Sequence, residues 1–135
     1  MKNLLRLEEI AQFVLVVLAL VMKSAAWWVY LLLLLGPDVG MLGYLIGPRT
    51  GAACYNFAHH KGVALLVLFI GFAMEIGNML TNVHSGFLLA GLILYGHSSM
   101  DRMLGYGLKY SDDFKHTHLG WIGRKNNMQE QEQEQ

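Results

Sequence analysis

The sequence predicts an all-α polytopic membrane protein: about four transmembrane helices in a compact bundle, with a Pro/Gly-broken segment between spans two and three. Three observations carry that expectation. Hydrophobic residues make up 54% of the 135-residue chain and charged residues only 15%, outside the usual range of soluble domains. The charges are segregated, so that residues 10–22, 24–36, 62–74 and 76–100 contain none. So short a chain has too little polar surface to hide four such runs, whereas a spanning helix needs ~20 mostly apolar residues. At this length the chain is one domain, because halves would be too small to bury a core. We divide it into a membrane domain over residues 1–122 and a disordered cytoplasmic tail over residues 123–135.

The first span is expected over residues 7–22. Its uncharged core is short, and Arg6, Glu8 and Glu9 can snorkel at its entry. A cleaved signal peptide is the competing reading, since Ser24-Ala25-Ala26 resembles a cleavage site; Glu8, Glu9 and Lys23 argue against it. The second span begins at Ala25 with Trp27, Trp28 and Tyr30, rings suited to an interface, and runs to Gly36-Pro37-Asp38. The third covers residues 62–80 and the fourth residues 83–100. Lys23-Ser24 and Thr81-Asn82 are almost the whole of two connections, and links this short make neighbouring spans antiparallel.

Residues 36–62 separate the second and third spans. Pro37 and Pro48 bracket a stretch long enough for a short helix that opens on proline. If helical, Gly36, Gly40, Gly43, Gly47 and Gly51 would share a face and let another backbone approach closely; otherwise they break helices in a loop. A broken, partly re-entrant or interfacial segment is the expectation. The tail "NNMQEQEQEQ" has nothing with which to form a core.

Basic residues set the orientation. Lys2, Arg6, Arg49, Lys61, Arg102, Lys109, Lys115, Arg124 and Lys125 fall on one side of a four-span topology, and Lys23 alone on the other. Both termini are therefore expected in the cytoplasm, in a multi-pass protein of the inner (cytoplasmic) membrane. The expected partners are the lipid bilayer and, for so thin a bundle, a second copy or another membrane protein. Zero formal net charge argues against nucleic acid. Cys54 is the single cysteine and excludes an internal disulfide. GxSxG, HExxH, CxxC, a Walker lysine loop and a dinucleotide fingerprint are all absent from the sequence.

The polar residues near the spans gather on the cytoplasmic side. Asp38 follows span two; Asn56 and His59 precede span three; His97, Asp101 and Arg102 end span four; His118 lies beyond it. His97 and Asp101, at i and i+4, share a helix face about 6 Å apart. That spacing suits two ligands of one metal, a carboxylate that orients an imidazole, or a plain ion pair. We expect Asp38, Asn56, His59, His97, Asp101, Arg102 and His118 as a polar cluster, and His59, His97, His118, Asp38 and Asp101 as the metal-ligand candidates within it. A divalent metal is the cofactor such donors suit. Glu75 is read as snorkelling outward or, as a minor alternative, relaying protons, and His60 and His84 as surface residues.

The blocks "PDVGMLGYLIGP", "GAACYNFAHH", "HSSMDRMLGYGLKY" and "FKHTHLG" resemble the signature of a small bacterial membrane family, the domain-of-unknown-function family 4260. The resemblance covers approximately residues 5–120, and GYGLKY followed by THLG is its most specific part. Matching positions include Pro37, Asp38, Tyr55, Asn56, His59, His97, Asp101, Arg102, Lys109 and His118. The resemblance implies a small multi-span membrane protein and brings no activity. Two functions are open at this point. One is a non-enzymatic binding or partner subunit whose polar cluster fixes helix packing. The other is a metal-dependent, hydrolase-like membrane enzyme that uses His59, His97, His118 and Asp38 or Asp101.

Overall fold

The computed structural model describes residues 2–78 and 86–123. The Thr81-Asn82 connection, His84, the start of span four and residues 124–135 of the tail lie outside the described residues. Those described are almost wholly helical: α1 (Lys2–Met22), α2 (Trp27–Leu35), a 3₁₀-helix (Pro37–Leu45), α3 (Pro48–His59), α4 (Lys61–Asn78) and α5 (Gly86–Leu104).

Local chemistry explains where each helix stops. The chain reverses after α1 through Ser24 at φ 51°, and the Ala25 N–H bonds back to the Leu20 carbonyl at 3.0 Å. At the end of α2, Gly36 keeps helical angles although a proline follows it. A side chain there would collide, since an added Cβ would lie 2.6 Å from the Leu32 carbonyl oxygen. Pro37 has no N–H to continue the α-helical ladder, and the axis bends by 41° into the 3₁₀-helix. Pro48 then opens α3 in the first turn, where its missing donor costs nothing. The 3₁₀-helix and α3 form a tight hairpin. A Cβ on Gly40 would lie 3.0 Å from the Cys54 carbonyl oxygen and one on Gly43 3.0 Å from that of Thr50, so the glycines permit the close backbone approach. A second bend, of 46°, separates α3 from α4.

α5 lies between α1 and α4 and touches α2 as well. Its contact with α4 is backbone to backbone: a Cβ on Gly91 would lie 2.6 Å from the Leu68 nitrogen, and one on Gly71 2.3 Å from that of Leu88. The apolar core joins Val16 and Leu20 of α1 to Val29 and Leu33 of α2, with Leu89, Leu92 and Ile93 of α5 against them. Long side chains of α1 and of Lys23 just beyond it reach α4. Lys23 pairs with Glu75 at 2.9 Å at one end, and Lys61 pairs with Glu9 at the other. Glu75 is thus half of an ion pair.

Two features differ from the sequence expectation. A small antiparallel hairpin, β1 (His116–Thr117) and β2 (Gly120–Trp121), follows the helices, with Lys109 bridged to Thr117. Gly120 at φ 113° makes its turn. In addition, no single described helix is long and apolar enough to cross a membrane, whereas α2 with the 3₁₀-helix and α3 with α4 reach that length and composition only as bent pairs. In α1 and α5 the reason is a polar end: α1 carries Arg6, Glu8 and Glu9 near its start, and α5 carries His97, Asp101 and Arg102 near its finish.

Candidate metal centre

Three elements deliver four ligand-type side chains to one point. Pro37 terminates α2 and leaves Asp38 at the start of the 3₁₀-helix. The glycine-lined hairpin folds α3 back, so its last residue, His59, returns to Asp38. α5 adds His97 and Asp101 from one face. One ligand atom from each of these four residues lies within 4.8 Å of the other three.

The separations are narrow. His59 Nε2 lies 3.5 Å from Asp38 Oδ1 and 3.3 Å from Asp101 Oδ2. His97 Nε2 lies 3.5 Å from Asp38 Oδ1 and 3.7 Å from Asp101 Oδ1. The two imidazole rings stand edge to face with centroids 4.9 Å apart. His97 is fully buried and His59 is 3% exposed, while the Asp38 side chain is 36% exposed and forms the open side.

Hydrogen bonds set the imidazole tautomers. His59 Nδ1 lies 2.8 Å from the Tyr55 carbonyl and His97 Nδ1 lies 2.9 Å from the Leu33 carbonyl. A carbonyl only accepts, so each Nδ1 carries the proton and donates. In a neutral ring Nε2 is then a bare lone pair. Both Nε2 atoms are buried and make no hydrogen bond to the described residues. They face carboxylate oxygens, which are acceptors too. Four acceptors converging on one point call for a cation at their centre or for extra protons on the rings or carboxyls. A tetrahedral ion with metal–ligand bonds of about 2.0–2.1 Å separates its ligands by about 3.3–3.4 Å, close to the separations here. The Tyr55 hydroxyl donates to Asp101 Oδ2 at 2.6 Å, and its ring stacks on His59 at 3.7 Å. Tyr55 thereby holds one acid and one imidazole in place.

The remaining sequence candidates lie around this group and have other partners. Asn56 clamps the backbone of Lys109, accepting from its N–H at 2.7 Å and donating to its carbonyl at 2.8 Å. Arg102 points toward Glu9, 3.9 Å away. His118 does not join the four ligand atoms; its Nδ1 accepts from the Leu108 N–H at 2.8 Å. Among the described residues, the ligand-type atoms that converge are those of two histidines and two aspartates, Asp38, His59, His97 and Asp101. Burial pushes the His118 imidazole down, and the nearby Arg102 adds to the shift. The Lys109 ammonium is also pushed down by burial and drawn back up by Asp101 and Asp38. It lies over the Phe114 ring at 3.3 Å and donates to the Phe114 carbonyl.

Sequence reasoning missed one neighbouring network. Gln12 Oε1 accepts from Lys61, from the Tyr95 hydroxyl at 2.9 Å and from the Ser99 hydroxyl at 3.4 Å. Its signal was available: Gln12 is the one amide within the uncharged run 10–22. Tyr55 likewise stands one helical turn before His59, spaced to reach the same point.

Comparison with known families matches residues 2–122 to a domain of unknown function, DUF4260. No curated protein and no solved structure matches the chain.

Proposed function

Because the chain belongs to the DUF4260 family, whose description names no activity, we propose its function from the geometry: a small integral membrane protein that binds one divalent transition metal through Asp38, His59, His97 and Asp101. The observation that carries this reading is the pair of buried Nε2 lone pairs facing two carboxylates at 3.3–3.7 Å. Two nitrogens and two oxygens, without thiolate, suit zinc, iron or manganese. Each ligating ring donates its other nitrogen to a backbone carbonyl, the usual way a protein orients a metal-bound histidine.

The membrane half of the proposal draws support from the surface. Leu15, Leu18, Leu35, Phe69 and Phe72 are exposed, while α5 buries Gly91, Gly96, Ser98, Ser99 and His97. Large apolar residues outward and small or polar residues inward is the arrangement a lipid solvent favours. By length and composition, the bent pairs α2 with the 3₁₀-helix and α3 with α4 are the candidate spans, against the ~20 mostly apolar residues that a bilayer core needs.

The test is metal analysis of the full chain purified in detergent without chelator. About one divalent ion per chain is expected, and His97→Ala or Asp101→Asn should lose it while helical circular dichroism persists. Metal-free native protein, with both imidazoles doubly protonated by NMR, would leave an ion-paired packing scaffold instead. A second, catalytic reading rests on Asp38. It is the most exposed ligand, and its departure would leave three ligands and an open position, as in metal-assisted hydrolases. Asp38→Ala protein that keeps its metal and gains an exchangeable water would favour that reading.

A further inference from the structure

A cavity of about 330 Å³ opens where the start of α1 meets the end of α5, and Lys2, Arg6, Glu9, Arg102 and His118 line it. Three of these are permanent cations drawn from two helices, against one carboxylate. That carboxylate is already engaged, since Glu9 pairs with Lys61 and lies 3.9 Å from Arg102. Among the described residues neither Lys2 nor Arg6 forms an ion pair. Their position adds to the imbalance. The first turn of α1 contains no acidic residue, so no carboxylate there offsets Lys2 at the positive end of the helix dipole, where cations are disfavoured. An anion in the cavity would answer both the side-chain charges and the helix end. His118 fits as a further donor: with Nδ1 accepting from Leu108, the proton of its neutral ring resides on Nε2. Leu5, Gly105 and Leu119 complete the lining.

We propose that this cavity is a binding site for a phosphate-bearing anion, carried by an anionic phospholipid headgroup or by a soluble phosphate ester. Basic pockets between helices on the cytoplasmic side are suited to such groups, and arginine matches phosphate with paired donors. The site is separate from the His/Asp group and needs no metal.

The experiment follows thermal unfolding of the full chain in neutral detergent during titration with short-chain phosphatidylglycerol, with phosphatidylcholine as the zwitterionic control. A parallel titration uses inorganic phosphate against sodium chloride at matched ionic strength. Phosphatidylglycerol should raise the midpoint by several degrees and phosphatidylcholine should not. In Lys2→Gln/Arg6→Gln protein the response should weaken about fivefold for each cation removed, whereas Lys115→Gln, a basic residue outside the cavity, should respond as native. Lys2 and Arg6 are exposed, so the double variant is expected to fold. Lipid retention by the native chain in native mass spectrometry gives a readout independent of that variant. A response to phosphate without one to phosphatidylglycerol supports the proposal and assigns the site to soluble esters. The proposal fails if neither probe shifts the native protein. It also fails if the double variant responds as native.

Discussion

Asn56 closes both halves of its side-chain amide on the backbone of Lys109, and so ties the segment after α5 to α3. Asn56→Ala leaves a backbone N–H and a C=O without partners, which costs about 1–3 kcal/mol; a correspondingly lower thermal midpoint is expected, with Asn56→Asp retaining part of the loss as stability. At Tyr55 the consequence is functional. Tyr55→Phe removes the only described hydroxyl that donates to Asp101 and keeps the ring that stacks on His59. Loss of such an outer hydrogen bond typically weakens metal affinity 10–100-fold, to be measured by chelator competition; an unchanged affinity would separate Tyr55 from the proposed centre. His118 gives a pH dependence whose sign follows from burial. Its folded pKa lies below the ordinary 6.5, so the unfolded chain binds the proton more readily. The stabilisation from this docked ring is complete above 6.5 and fades as pH falls through the lower folded value. His118→Gln should flatten that acid-side slope in thermal melts taken across pH 5–7.

Helix contacts are set by glycine. α4 and α5 approach so closely at Gly71 and Gly91 that any Cβ would overlap the facing backbone. Gly91→Ala should therefore push the helices apart and cost about 1–3 kcal/mol as an overpacked contact, despite the better helix propensity of alanine. The outcome is checked by the thermal midpoint, and a stabilised variant would show that the interface slides freely. The same shift would displace His97 and Asp101 relative to His59, so metal content should fall with stability. The hairpin of the 3₁₀-helix with α3 plays the corresponding part on the other side of the group, where it fixes the distance between Asp38 and His59.

Across the molecule, the ligand-type side chains, the Glu9–Lys61 pair and Lys2, Arg6 and Arg102 gather at the end where α1 starts and α5 finishes, and Lys23–Glu75 marks the opposite end. In the proposed membrane setting this polar end faces the cytoplasm, in keeping with the Lys/Arg asymmetry. A reporter active only in the cytoplasm is expected to work when fused after Lys125 and to fail when inserted after Asn82. An active insertion at Asn82 would require a different number of spans.

The helical class, the breaks at Pro37 and Pro48 and the participation of Asp38, His59, His97 and Asp101 were legible in the sequence, because they depend on local terms: the length of uncharged runs, the missing proline N–H and the cost of ionisable groups beside apolar ones. The i,i+4 pair His97 and Asp101 is likewise a property of one helix. Tertiary structure decided what depends on pairs of segments. It set His118 apart from the four convergent side chains, gave Asn56 to Lys109, Gln12 to Lys61 and Tyr55 to Asp101, and formed the short β-hairpin. These outcomes depend on crossing distances and backbone approach, which glycines far apart in sequence set jointly, and on carbonyls such as that of Leu33, whose availability no side-chain pattern records.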